Sequence, residues 1–126
     1  MTVKNIRPKE AYQRTQEGFI YLDVRTVEEF KNGHAKGAVN IPIFIHSPAG
    51  RQFNPNFLAL VQEKFPKTAK LVIGCQSGGR SSKACELLGM QGYTEIYNID
   101  GGFGGKIDPA IGESIQGWRD EGLPVE

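Results

Sequence analysis

The chain has 126 residues, 39% of them hydrophobic and 23% charged, and 15 basic against 14 acidic side chains leave a formal net charge of +1. That length fits one ordinary domain, residues 1–126, with a continuous core. The balanced charge excludes a broad electrostatic footprint for nucleic acid or anionic lipid, no stretch approaches the roughly 20 apolar residues of a membrane span, and two cysteines without a C-x-x-C pair disfavour a disulfide framework, thioredoxin-like cycling and structural zinc.

The opening Met-Thr-Val-Lys-Asn-Ile-Arg-Pro lacks an apolar signal core, so the expected compartment is the cytoplasm, or an organelle lumen after removal of a leader. Val3 to Ile6 reads as a short first strand. Pro8 suits the first turn of a helix that Lys9 to Gln16 continues and Gly18 stops. Phe19, Ile20, Tyr21 and Leu22 form a second strand ending in Asp23-Val24-Arg25. Thr26, with Glu29 three residues on, is a capping-box pattern that opens a short helix from Val27 to Lys31, closed by Asn32-Gly33. Val39, Asn40 and Ile41 give a strand cut off by Pro42. The segment from Ile43 to Asn56, with Pro48, Gly50 and Pro55, reads as a looser connection near the sheet edge, in which Arg51 stands out. Asn54 or Asn56 caps a helix from Phe57 to Phe65, with Leu58, Val61 and Phe65 on one face, and Pro66 ends it.

Leu71 to Met90 reads as strand, tight loop and helix. Leu71, Val72 and Ile73 are a short β-rich run of the kind buried on both faces of a parallel sheet, and Gly74 ends it. From Arg80 onward Ala84, Leu87 and Leu88 recur at helical spacing, with Ser81, Ser82, Lys83 and Glu86 on the wet side. Cys75 therefore stands at the carboxyl end of a buried strand, where open α/β sheets place their ligands. Gly78 and Gly79 let the loop turn several peptide N–H groups toward the sulfur. The first helical turn adds partial positive charge, so Cys75 is expected to be acidic and nucleophilic.

Gly92 breaks that helix and Glu95 to Ile99 supplies one more strand. The glycine-rich run Asp100 to Gly105 is loop, with Gly101 to Gly105 read as either a second anion nest or a flexible turn. A last helix from Ile111 to Arg119 is expected to put Ile111, Ile115 and Trp118 on one side. Strands alternating with helices indicate a mostly parallel sheet of about five strands with helices on both faces.

Three blocks of this sequence resemble the rhodanese family of sulfurtransferases, specifically its single-domain members. Leu22-Asp23-Val24-Arg25, Glu28-Glu29-Phe30, Gly33-His34, Gly37-Ala38 and Asn40-Ile41-Pro42 are similar to its amino-terminal signature. Cys75-Gln76-Ser77-Gly78-Gly79-Arg80-Ser81 is similar to its active loop. Asn98 to Gly105 with Gly117-Trp118 is similar to its carboxyl-terminal signature. The resemblance covers nearly the whole chain and is weakest from Phe44 to Asn54.

The resemblance implies the rhodanese-like three-layer α/β sandwich and transfer of a sulfane sulfur through a persulfide on Cys75. Gln76, Ser77, Gly78, Gly79, Arg80 and Ser81 would contact the substrate. No cofactor or metal is implied. The expected partners are a small anionic donor such as thiosulfate and an acceptor, either cyanide or a thiol, including a thioredoxin-like or other sulfur-accepting protein. The alternatives are a binding or sulfur-delivery module on the same fold, and a cysteine phosphatase or arsenate reductase. Phosphatases of the C-x5-R kind need one residue more between cysteine and arginine than the six-residue span from Cys75 to Arg80 provides.

Other residues have plainer readings beside these. Asp23 and Arg25 are expected to brace neighbouring loops, and His34 to make fixed backbone hydrogen bonds. Arg80 either contacts substrate or pairs with a carboxylate. Cys85 is read as core, with a resolving role as its alternative, and Trp118 as packing. Phe44, Phe53 and Phe103 are taken as exposed, forming a partner surface or packing locally.

Overall fold

A computed structural model describes residues 3–126. Five parallel strands form the central sheet in the order β1-β7-β6-β2-β3, with β1 at Asn5–Ile6, β2 at Ile20–Asp23, β3 at Val39–Asn40, β6 at Leu71–Gly74 and β7 at Ile96–Ile99. Four helices connect or cover them: α1 (Pro8–Thr15), α2 (Val27–Lys31), α3 (Phe57–Lys64) and α4 (Gly79–Met90). Two antiparallel hairpins, β4–β5 (Phe44–Ser47 and Gly50–Phe53) and β8–β9 (Lys106–Asp108 and Glu113–Ile115), stand outside the sheet. Among the described residues no helix is long and apolar enough to cross a membrane.

The alternation of side chains along buried strands divides the core in two. Leu22, Leu71 and Ile73 pack with Phe57, Val61 and Phe65 of the α3 region and with Ala84, Cys85 and Leu88 of α4. Tyr21, Val72 and Ile99 face the other way, onto Ala11 of α1, Phe103 and Trp118. Strand β6 is buried along its whole length, as its unbroken apolar run requires. The capping box of α2 is present, with the Thr26 side chain accepting from the Glu29 N–H and the Glu29 side chain accepting from Thr26.

Four expectations are corrected. The residues from Ile111 to Arg119 are not a helix: Ile111 lies at the tip between β8 and β9 with 63% of its surface exposed, while Ile115 and Trp118 are buried. Asp108, whose carboxylate accepts from the Ala110 N–H, and Gly112 at φ +68° impose turn geometry that the helical spacing of the three apolar residues does not override. The segment Ile43–Asn56 is largely the β4–β5 hairpin, in which Arg51 lies opposite His46 and its guanidinium covers the Phe44 ring. Phe103 is buried, because it packs into the core cluster of Tyr21, Val72, Ile99 and Trp118, with Arg25 and Arg119 over its ring. Ser81 is wholly buried rather than on the wet side, because its hydroxyl finds partners inside the fold.

Candidate active site

The carboxyl ends of β2, β6 and β7 bring Asp23, Cys75 and Asn98 to one edge of the sheet. Cys75 follows β6 directly and is 1% exposed. The chain then turns through Gln76, Ser77 and Gly78 into α4. Gly78 takes φ +123°, which L side chains rarely adopt. That conformation points its N–H back at the sulfur, 3.1 Å from Cys75 Sγ. The Ser81 hydroxyl, in the first turn of α4, lies 3.4 Å from the same sulfur. Burial pushes the Cys75 thiol up, but the Ser81 hydroxyl and the N–H groups of Ser81, Gly78 and Ser77 outweigh it and hold the thiol below its ordinary value. The cradle favours a sulfur that carries negative charge.

The loop keeps this shape because its carbonyls are held from behind. Gly101, Phe103 and Gly104 donate backbone N–H bonds to the carbonyls of Ser77 (3.1 Å), Cys75 (2.8 Å) and Gln76 (2.9 Å). With the carbonyls tied outward, the N–H groups are left to face the sulfur. Gly102, at φ +56°, sits so close that a Cβ would collide with the Cys75 and Gln76 carbonyls. The glycine-rich run is thus neither an anion nest nor a slack turn. It is a brace, and its composition is the signal that identifies it.

A second buried residue outside the expected set supports the cradle. Asn98 Oδ1 lies 2.5 Å from the Ser81 hydroxyl and shares that hydroxyl's single proton with Cys75 Sγ, while Asn98 Nδ2 donates to Asn5 Oδ1 (2.9 Å) and the Gly78 carbonyl (3.3 Å). Its marks in the sequence were a polar side chain within the β7 strand and its place at the start of the block similar to the carboxyl-terminal signature.

The arginines near the loop are both paired. Arg25, 3% exposed, donates through Nε and Nη2 to the buried Asp23 carboxylate and through Nη2 to the Gly33 carbonyl at 2.8 Å. Asp23 also accepts from the Arg25 N–H, so the pair braces the β2 and α2 loops. Arg80 makes a two-pronged bond to Glu29, Nη1 to Oε1 at 2.6 Å and Nη2 to Oε2 at 2.9 Å. That bond holds the Glu29 carboxyl down at about 2 and raises the Arg80 guanidinium, which the Cys75 thiolate charge raises a little further. Of the expected substrate contacts, Ser77, Gly78 and Ser81 meet at the sulfur. Gln76 turns its amide toward Arg25 and Gly104, Gly79 opens α4, and Arg80 points to Glu29.

His34 lies apart from this cluster. It stacks on Phe30 and donates from Nδ1 to the Phe30 carbonyl at 2.8 Å, while its backbone exchanges hydrogen bonds with Glu126. Cys85 is also free but buried, and its surroundings, burial first and the Cys75 charge second, push its thiol up to about 12. Among the described residues no group of His, Cys, Asp and Glu is placed to hold a metal ion.

A family model described as Rhodanese-like domain matches residues 7–105. The chain is 40% identical over 109 residues to "Thiosulfate sulfurtransferase 16, chloroplastic" of Arabidopsis thaliana, covering 86% of this chain and 81% of that protein. It is 40% identical over 103 residues to "Rhodanese-like domain-containing protein 17" of the same plant, covering 80% and 66%. Across the curated relatives it matches, the chain spans between half and about four fifths of their length. Among solved structures, that of Rv0390 from M. tuberculosis superposes with a TM-score of 0.80 at 28% identity, covering 100% of this chain and 98% of that one. The parallel five-stranded fold, the family match and these relatives agree: the chain belongs to the rhodanese-like domain family.

Proposed function

We propose that the chain is a sulfurtransferase that carries a sulfane sulfur as a persulfide on Cys75, taking it from thiosulfate or a persulfide donor and passing it to a thiol or cyanide. The observation that carries the reading is the cradle: a buried sulfur met by the Gly78 N–H and the Ser81 hydroxyl. Such an environment favours the thiolate over the thiol, so attack on the donor draws on the thiolate directly and needs no general base. The thiolate forms a bond to the outer sulfur of the donor, and the old S–S bond breaks with its electron pair leaving on sulfite when the donor is thiosulfate, or on the thiolate RS⁻ when it is a persulfide. The terminal persulfide sulfur then sits where the loop amides and the first turn of α4 stabilise its charge. Attack by the acceptor on that sulfur returns Cys75 to the thiolate.

The engagement of Arg80 by Glu29 supports sulfur chemistry over phosphoryl transfer, since a phosphatase loop turns its arginine onto the bound oxyanion. Names of relatives support the reading too: two Arabidopsis relatives are called thiosulfate sulfurtransferases, one of them chloroplastic, and a third relative is called mitochondrial. An organelle lumen is accordingly as suitable a place of work as the cytoplasm, with residues 1–126 acting as one domain. The test is thiocyanate formation from thiosulfate and cyanide: wild type turns over and Cys75→Ser does not. Equal turnover by the two would refute the reading.

A further inference from the structure

Thiosulfate brings two negative charges to an attacking thiolate, and an organic hydropersulfide, RSS⁻, brings one. What meets the second charge decides which donor the site favours. The cation placed at the start of α4, Arg80, is 15% exposed and bound face to face by Glu29 through both carboxylate oxygens. The other arginine of the site, Arg25, is bound the same way by Asp23. Each pair is close to neutral as a unit. The attraction left at the sulfur is that of neutral dipoles, the loop N–H groups and the Ser81 hydroxyl, arranged around a single sulfur atom. Lys83 and Arg119, further cations of this part of the chain, are exposed, where water and salt screen them.

Glu29 is the residue that sets this balance. It is already committed to the α2 capping box, where Oε1 accepts from the Thr26 N–H and hydroxyl. Its place in the fold is therefore fixed by local structure, and Arg80 is drawn to it from 51 residues away. We propose that Glu29 selects the sulfur donor by charge: by neutralising Arg80 it confines the site to donors that bring one negative charge, the class of organic hydropersulfides, in preference to dianionic thiosulfate. This rests on Cys75 being the sulfur carrier. With a hydropersulfide the Cys75 thiolate bonds to the terminal sulfur, the RS–S bond breaks, and the thiolate RS⁻ leaves with the electron pair. Atoms and charge balance without an oxidant or reductant.

The probes are benzenethiosulfonate, a monoanion, and thiosulfate, a dianion; both deliver one sulfane sulfur and release an oxyanion of sulfur. kcat/KM is measured for each, with cyanide as acceptor, in wild type, Glu29→Gln and Cys75→Ser. Glu29→Gln keeps an amide oxygen for the capping box and for Arg80 but leaves the guanidinium charge uncompensated. The expected result is a ratio of thiosulfonate to thiosulfate kcat/KM that falls roughly tenfold in Glu29→Gln, the effect of one partly screened unit charge. Wild type alone gives a second reading: with both arginines paired, added salt should lower kcat/KM no more steeply for thiosulfate than for the thiosulfonate. A steeper slope for thiosulfate in wild type, or a ratio unmoved in a folded Glu29→Gln, would overturn the role of Glu29 while turnover still depends on Cys75. Turnover that persists in Cys75→Ser with both donors would overturn the carrier reading and the selection together.

Discussion

Cys75 and Cys85 are the same residue type in the same core cluster, ten positions apart in the chain, and their surroundings push their thiols in opposite directions. Burial raises both. At Cys75 directed donors reverse the effect; at Cys85 the charge of Cys75 adds to it. Native protein treated with iodoacetamide at neutral pH should therefore take one label, at Cys75, and a second only after unfolding, as read by peptide mass mapping. Ser81→Ala removes a hydroxyl whose one proton can turn from Asn98 Oδ1 to the thiolate; a bond to a charged group is worth at most about 1.5–3 kcal/mol, less the neutral bond given up. Loss of that donor favours protonation, so the midpoint of alkylation rate against pH should rise, by up to about one pH unit. An unchanged midpoint would mean that the backbone amides alone set the acidity.

The sign for stability follows. A thiol held low in the folded state binds fewer protons than the unfolded chain between the two values. Cys75 therefore contributes stability that is fully present above the unfolded thiol's pKa and is lost as pH falls through the folded value. Cys85 does the reverse: its contribution is present below the unfolded thiol's pKa and is lost as pH rises toward about 12.

At the scale of elements, the active loop depends on a second loop that supplies no side chain to the sulfur. The 101–105 run fixes the carbonyls of Cys75, Gln76 and Ser77, and Gly102 is the point of closest approach. Gly102→Ala should force the two loops apart at a cost of roughly 1–3 kcal/mol in stability. Sulfur transfer should drop by more than the stability loss explains, because the N–H groups around Cys75 lose their aim. Thermal unfolding and thiocyanate formation on the same sample separate the two effects.

Elements set by local chemistry were legible in the sequence. The capping box of α2, the apolar run of β6, Pro8 opening α1 and the Cys75 to Ser81 loop each carry their own signal within a few residues. What was not legible depends on distant partners. Ser81 looked like a solvent-facing serine because Asn98, the residue that buries it, is 17 positions away. Glu29 showed its cap and concealed its bond to Arg80. The spacing of Ile111, Ile115 and Trp118 mimicked a helix, although Trp118 belongs to the core through Tyr12 and Tyr21 rather than through its chain neighbours.

For the molecule as a whole, the last residues form a strap across the sheet's α1 side. Trp118 Nε1 donates to the Pro124 carbonyl at 2.7 Å, Ala35 bridges to Val125, and the backbones of His34 and Glu126 exchange two hydrogen bonds at 3.0 and 2.8 Å. The strap ties the loop after α2, on which Arg25 also rests through the Gly33 carbonyl, to the Trp118 core. Deleting Pro124 to Glu126 should lower the melting temperature by several degrees, since each kcal/mol lost shifts a domain of this size by about 2–8 °C. Cys75 alkylation kinetics should stay close to wild type, because the strap does not touch the sulfur's donors.

The most direct measurement is the intact mass of wild type and Cys75→Ser after brief exposure to a sulfane donor, thiosulfate in one arm and benzenethiosulfonate in the other, and again after cyanide. The expected result is a gain of one sulfur atom on wild type alone, removed by cyanide. The same gain on Cys75→Ser, or no gain on wild type from either donor, would contradict a persulfide carried on Cys75.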